Sequence, residues 1–128
     1  MKKEDLPNIL PVFPLSNFII FPRTTVPLNI FEPRYIQMVD ECMKSNRIIG
    51  MIQPKKTGKL KNPDLHEVGC AGKITSFNET DDGRYIIILN GICRFRVMKE
   101  IKNKNLYREY NVKYDDYYGD LQNKDEEI

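Results

Sequence analysis

The sequence predicts a mostly β (α+β) domain: six or seven strands closed into a barrel or pseudo-barrel, with one helix after the second or third strand. Strand-like runs recur at short spacing, each bounded by Pro, Gly, Asn or Asp. One segment alone, opening at Glu32-Pro33, places apolar residues at three- and four-residue intervals. Closing the sheet is the simplest way for that many short strands to protect their edges. With 128 residues, the chain has the length of one domain.

The first run is Ile9-Leu10-Pro11-Val12-Phe13-Pro14-Leu15. Its prolines cannot donate to a ladder, so it is expected to be an edge or entry strand. Ser16-Asn17 marks a turn, and Phe18-Ile19-Ile20-Phe21 then ends at Pro22. The second strand is Thr24 to Phe31, rich in β-branched residues, with Pro27 limiting pairing on one side. The helix opens on Glu32 and Pro33, which suit a helix N-terminus. Tyr35, Ile36, Val39, Cys42 and Met43 form its apolar stripe, and Ser45-Asn46 stops it.

Arg47 to Gln53 reads as a buried strand, followed by the polar, basic loop Pro54–Pro63. His66 to Phe77 is a long strand in which Gly69 and Gly72 imply a bend or bulge. Asn78 to Gly83 supplies a hairpin turn. Arg84 to Leu89 is the most β-prone run, Asn90-Gly91 a tight turn or bulge, and Ile92 to Met98 an alternating, half-buried strand. Leu106 to Tyr114 is the last strand. Three units are expected: an amino-terminal extension over 1–8, the domain over 9–114, and an acidic linker, or the start of a further helical region, over 115–128.

Charge is unevenly placed. Residues 115–128 hold six acids and one base, leaving 19 bases against 12 acids in the rest of the chain. A basic body can attract acidic partners, but its bases are scattered, as on an ordinary solvated surface. No signal peptide and no apolar run of membrane-spanning length is read, so a cytoplasmic protein without a membrane partner is expected. Cys42, Cys70 and Cys93 are odd in number, far apart and outside any CxxC pair, so they read as buried, reduced thiols.

No catalytic constellation emerges. The single histidine, His66, has no HxxxH or HxH partner, and neither a GxxxxGK[ST] loop nor a GxSxG elbow occurs. Three scattered cysteines and one histidine fit no closed zinc spacing. No enzyme activity, cofactor or metal is expected. Binding has better material. Phe18-Ile19-Ile20-Phe21 carries more apolar bulk than one strand face can bury, so it is the candidate protein-binding surface. The loop Lys55-Lys56-Thr57-Gly58-Lys59-Leu60-Lys61 could grip phosphates, yet lacks a stacking-aromatic or GXXG pattern, so nucleic acid is not the expected partner.

The segments Leu10-Pro11-Val12-Phe13-Pro14-Leu15, Phe21-Pro22 and Val26-Pro27-Leu28-Asn29-Ile30-Phe31-Glu32-Pro33-Arg34-Tyr35 occur in order with Val68-Gly69, Asp82-Gly83-Arg84 and Leu89-Asn90-Gly91-Ile92-Cys93-Arg94-Phe95. Together they resemble the amino-terminal, substrate-binding domain of the Lon protease family, over about residues 9 to 114. The Phe31-Glu32-Pro33-Arg34-Tyr35 stretch is most similar to stand-alone bacterial LON-domain proteins. Those continue into a helical segment, so an end at Ile128 is expected to reflect a shortened chain or a short member.

The resemblance implies a PUA-like pseudo-barrel, capture of unfolded protein segments or of a dedicated protein partner, and self-association. It implies a structural motif at Pro22, Leu28, Phe31, Glu32, Arg34, Tyr35, Gly69, Gly91 and Arg94. In that motif the prolines end pairing, and the glycines permit bends or positive φ. Leu28, Phe31 and Tyr35 tie strand to helix, and Arg94 or Arg96 pairs with an acid such as Glu32. An RNA-binding PUA-like module and an assembly domain of a longer protein are the alternative functions.

Overall fold

The computed structural model of the chain describes residues 2–16, 21–55 and 64–121. Its strands are β1 (Ile9–Pro14), β2 (Thr25–Ile30), β3 (Ile48–Ile52), β4 (Val68–Glu79), β5 (Tyr85–Ile101) and β6 (Arg108–Lys113), and its helix, α1 (Pro33–Met43), follows β2. The sheet runs β2-β5-β4-β3-β1-β6, and β6 pairs back onto β5. Strands β1, β3, β4, β5 and β6 therefore close a ring, with β2 as an additional strand on β5. This is the expected pseudo-barrel with its helix after the second strand.

Two cores result. Inside the ring, Leu10, Val12, Ile48, Ile52, Ala71, Cys93, Phe95 and Val112 pack together. Between α1 and the sheet lie Val26, Leu28, Ile30, Tyr35, Met38, Val39, Ile49, Met51, Ile87 and Leu89. Strand β3 is buried at every position because its two faces serve the two cores. Residues Asn90-Gly91 and Ile92 make a bulge inside one 17-residue strand rather than a turn between two. Gly91 pairs with Gly72, but Cys93 pairs with Ala71, so Ile92 is an extra residue.

Strand β1 corrects the expectation of an edge position. It lies between β3, which it meets in parallel, and β6, which it meets in antiparallel. The prolines are tolerated because the two partners occupy different stretches: β6 pairs with Ile9 to Val12, and β3 with Val12 to Pro14. The Val112 N–H donates to Asn8 O (2.9 Å), which puts Pro11↔Glu109 at a non-hydrogen-bonded position, so the nitrogen of Pro11 faces away from β6.

Both ends also depart from the expected unit boundaries. Leu6 is buried in the ring core, and the Tyr114 hydroxyl donates to Pro7 O (2.6 Å), so the first residues are fastened to the barrel. Asp115–Leu121 is a 3-10 helix whose Tyr117, Tyr118 and Leu121 pack on the same core. The expectation there was an acidic linker or the start of a helical region, and the segment packs against the barrel. Arg94 holds it: its Nη2 and Nε donate to the two carboxylate oxygens of Asp120 (2.9 and 3.0 Å), and its guanidinium stacks over Tyr117. Arg96 reaches Glu67 at 3.3 Å and Asp116 at 3.8 Å. Neither arginine pairs with Glu32, which instead accepts from Arg34 at 2.9 Å.

Gly69 is required by a close approach and not by a positive φ. A Cβ there would sit 2.4 Å from Met51 O and 2.7 Å from the Phe95 ring. Among the glycines of the described residues, the positive φ belongs to Gly83 (85°), at the β4–β5 hairpin tip. Gly69→Ala is expected to lower stability by about 1–3 kcal/mol through overpacking. Gly83→Ala, with nothing within 4 Å of its added Cβ, is expected to cost about 1 kcal/mol from backbone conformation alone. Urea unfolding midpoints at constant slope measure both.

The Arg94 guanidinium holds the Asp120 carboxyl below the usual carboxylate range. A depressed folded-state pKa contributes stability above the ordinary Asp value of about 3.9, and loses it as pH falls through the lower folded value. Asp120→Asn is expected to cost about 1 kcal/mol at neutral pH, a deficit relative to the parent chain that shrinks steadily below about pH 4. A deficit of constant size across that range would refute the assignment.

Candidate functional site

Strand β2 alternates cleanly. Val26, Leu28 and Ile30 are buried, whereas Thr25, Pro27 and Asn29 are exposed. Across the antiparallel pair, Pro27 faces Ile88 and Asn29 faces Ile86, so each of these pairs shares the outward face. On β4, Ser76 and Asn78 continue the two rows. Ile88 is 36% exposed on this face.

A phenylalanine stands at each end of β2. Phe21 is 55% exposed and Phe31 is 66% exposed, more than any other phenylalanine among the described residues. Phe21 opens a tight turn, Phe21-Pro22-Arg23-Thr24. The Thr24 N–H donates to Phe21 O (3.2 Å), and the Phe21 N–H donates to Thr24 Oγ1 (3.1 Å). Pro22 at the second position and Arg23 at the third, with φ 69°, give a type II turn in which arginine occupies the place glycine favours. Two further bonds pin this turn to the β5 bulge: Arg23 N–H to Gly91 O and Gly91 N–H to Thr24 O, both 2.8 Å. The Phe21 backbone is therefore fixed.

Phe31 corrects the expectation that it ties strand to helix. It falls on the outward parity of β2, after Asn29, while Leu28 and Tyr35 alone of that trio enter the core. Tyr35 stacks on Phe13 with ring centroids 4.3 Å apart, and Arg34 lies over its ring at 4.7 Å. Glu32 caps α1 in sequence without a side-chain capping bond, and its carboxylate orients Arg34. Of the expected binding run, Phe18, Ile19 and Ile20 lie outside the described residues, as do Lys56, Lys59 and Lys61 of the basic loop. Pro27, Ile88 and Phe31 are the surface residues that sequence reasoning missed. The signal was available, since strict alternation from Val26 puts Phe31 outside.

The three cysteines are poor nucleophiles where they stand. Burial pushes the Cys42 and Cys70 thiols up to about 12 and Cys93 up to about 11, so all three stay protonated and poorly nucleophilic at neutral pH. They are free and buried, as expected. Among the described residues, no group of three or more His, Cys, Asp or Glu is placed to hold a metal, and no helix is long and apolar enough to cross a membrane.

Residues 9–128 match the family of the ATP-dependent protease La (LON) substrate-binding domain. A Lon protease of Desulfosudis oleivorans is 33% identical over 103 residues, covering 77% of this chain and 12% of that protein. A Lon protease of Cytophaga hutchinsonii is 26% identical over 127 residues, covering 98% of this chain and 16% of that one. The chain thus spans well under a fifth of the length of these relatives. Among solved structures, a Lon N-terminal domain protein from Xanthomonas campestris superimposes with a TM-score of 0.66 at 28% identity, over 83% of this chain and 59% of that one. The N-terminal domain of a Mycobacterium avium complex Lon protease shares the fold, with a TM-score of 0.61 at 14% identity over 83% of this chain and 54% of that one. A full-length pattern match and a matching barrel lead to one conclusion: this chain belongs to the LON substrate-binding domain family.

Proposed function

We propose that this chain is a non-catalytic receptor domain of the cytoplasm that captures unfolded protein segments through the apolar face beside β2. The observation that carries the reading is the pair of exposed rings, Phe21 and Phe31, at the two ends of a strand whose outward face adds Pro27 and Ile88. Between them lie the rest of the Phe21–Thr24 turn and the six residues of β2, which span roughly 20 Å of extended chain. An unfolded segment of similar length lying along β2 could place two of its apolar side chains against the two rings. Substrate-binding membership of the family is consistent with this role.

Capture here relies on side chains rather than on strand addition. Among the described strands, β2 pairs with β5 alone. The Gly91 N–H bond to Thr24 O sets Pro27 at a non-hydrogen-bonded position, so its nitrogen points to the open edge and offers no donor there. An added strand would meet a gap at the middle of that edge.

Fluorescence anisotropy with a reduced, alkylated and permanently unfolded polypeptide tests the proposal. Phe21→Ala and Phe31→Ala are each expected to weaken binding about three- to tenfold, since each ring has roughly 1 kcal/mol or more of apolar burial to contribute. Their exposure predicts near-unchanged unfolding midpoints. If the double variant binds as tightly as the parent chain, the face is not the receptor surface.

A further inference from the structure

The apolar face beside β2 has a basic border. Thr25, Asn90 and Lys73 pair across β2, β5 and β4, so they form one outward row next to the Pro27–Ile88–Ser76 row. Thr25 and Lys73 are exposed. The two rows lie two residues apart along β2, roughly 7 Å. Beyond Lys73 comes Arg47, whose carbonyl accepts from the Ile74 N–H at 2.8 Å. Beyond Thr25 comes Arg23, in the turn that carries Phe21. Three bases therefore border the Phe21 end of the face.

The two arginines stand apart from the rest. Arg34, Arg84, Arg94, Arg96 and Arg108 each hold a carboxylate at 2.9 to 3.3 Å. Arg23 and Arg47 are exposed, and their guanidinium groups have no ion pair or hydrogen bond among the described residues. They are also the described residues other than glycine with positive φ, 69° and 63°. That backbone region favours glycine and, after it, asparagine. Arginine in both places is a local conflict that no intramolecular contact of the side chain offsets, the pattern expected where a side chain serves binding rather than folding.

Nearby carboxylates are already engaged. Arg47 and Lys73 line a concavity of about 720 Å³ with Ser45, Asn46 and Asp5. Asp5 is the carboxylate among these, and its Oδ2 accepts from the Lys2 N–H at 3.0 Å. Asp120, on which the Arg23 charge also acts, is held by Arg94 through both oxygens.

We propose that this border binds an acidic side chain of the captured segment, two residues from an apolar side chain seated on Ile88. In an extended segment lying along β2, alternate side chains face the same way, at the spacing of the two rows. A carboxylate over the Thr25–Asn90–Lys73 row meets the Lys73 ammonium, with the Arg23 and Arg47 guanidinium groups to either side. Three separated bases do not track a phosphodiester backbone, and the row they border is apolar, so an acidic polypeptide fits better than nucleic acid. The inference rests on the reading that polypeptide lies along β2, and adds the chemistry of its selection.

The test titrates two peptides, acetyl-Leu-Gly-Leu-Gly-Glu-Gly-amide and its glutamine counterpart, into the ¹⁵N-labelled chain. The glutamate peptide is expected to bind about fivefold more tightly at low salt, with shifts concentrated at Arg23, Thr25, Arg47, Lys73 and Asn90. That advantage is expected to fall below about twofold in roughly 0.5 M salt, because the bases are exposed. Arg23→Asn, Arg47→Asn and Lys73→Gln together are expected to erase it while leaving glutamine-peptide affinity in place. The unfolding midpoint of this triple variant is expected not to fall, since asparagine adopts positive φ more readily than arginine.

Equal affinities in the parent chain at low salt overturn the border, as does a preference that survives the triple variant or is undiminished by salt. Tighter binding of a short oligothymidylate, lost in the triple variant, overturns the assignment to a carboxylate. If both peptides bind equally and both are lost on Phe21→Ala with Phe31→Ala, the face beside β2 stands and the border falls. A glutamate preference that persists in that Phe double variant supports the border whatever becomes of the face. Binding of neither peptide overturns both.

Discussion

One extra residue in β5 decides the architecture of the whole domain. Just before Ile92, the odd-numbered residues of β5 lie opposite even-numbered residues of β4: Leu89 faces Ile74 and Gly91 faces Gly72. After it, odd lies opposite odd, with Cys93 facing Ala71. Because strand side chains alternate strictly, this shift moves the buried face of β5 from the helix-covered core to the ring interior. Ile87 and Leu89 thus pack beneath α1, whereas Cys93 and Phe95 fill the barrel. A straight strand of the same sequence would have one set exposed. The same bulge brings the Gly91 backbone to Arg23 and Thr24, and so fixes the turn that carries Phe21.

Filling the ring with Phe95 sets the next constraint. Its ring lies against the positions a Cβ would take at both Gly50 and Gly69, on neighbouring strands β3 and β4. The two glycines are the hollow into which the largest fully buried side chain fits. Arg94, next to Phe95, must then point outward, and there it clasps Asp120 and Tyr117. Inward and outward neighbours on one strand thereby couple the barrel's plug to the segment that closes over Tyr114. Asp120 of the acidic carboxy-terminal stretch is engaged in this contact, a role that composition alone does not reveal.

Local signals were legible wherever one short stretch decides the outcome. The helix stripe and the Asn78–Gly83 turn each follow from spacing within about ten residues. The errors share a different cause. Pro11 and Pro14 argued for an edge strand, but pairing in two separate stretches with β6 and β3 spares their missing donors, and nothing local reveals a parallel partner some forty residues away. Arg94 lies in the motif, yet its partner Asp120 is set by the return of the chain after β6, whereas Glu32 is taken by its local neighbour Arg34. The site was half legible: Phe21 was singled out, whereas Phe31 was assigned to the core because its neighbours Leu28 and Tyr35 belong there. Parity along β2 outranks proximity in sequence.

The energetics of the face beside β2 limit what one copy can do. Two phenyl rings and Ile88, fully covered, contribute at most about 5–8 kcal/mol. Loss of translational and rotational freedom costs about 4–15 kcal/mol, and an unfolded segment must also be ordered on binding. On the proposed role, a single domain therefore holds a segment weakly and releases it readily. Tight capture requires further contacts on the same chain, or several copies engaging one substrate at high effective concentration. The proposed capture surface would favour polypeptides that present apolar residues repeatedly along an extended chain, which is the property that separates unfolded proteins from folded ones.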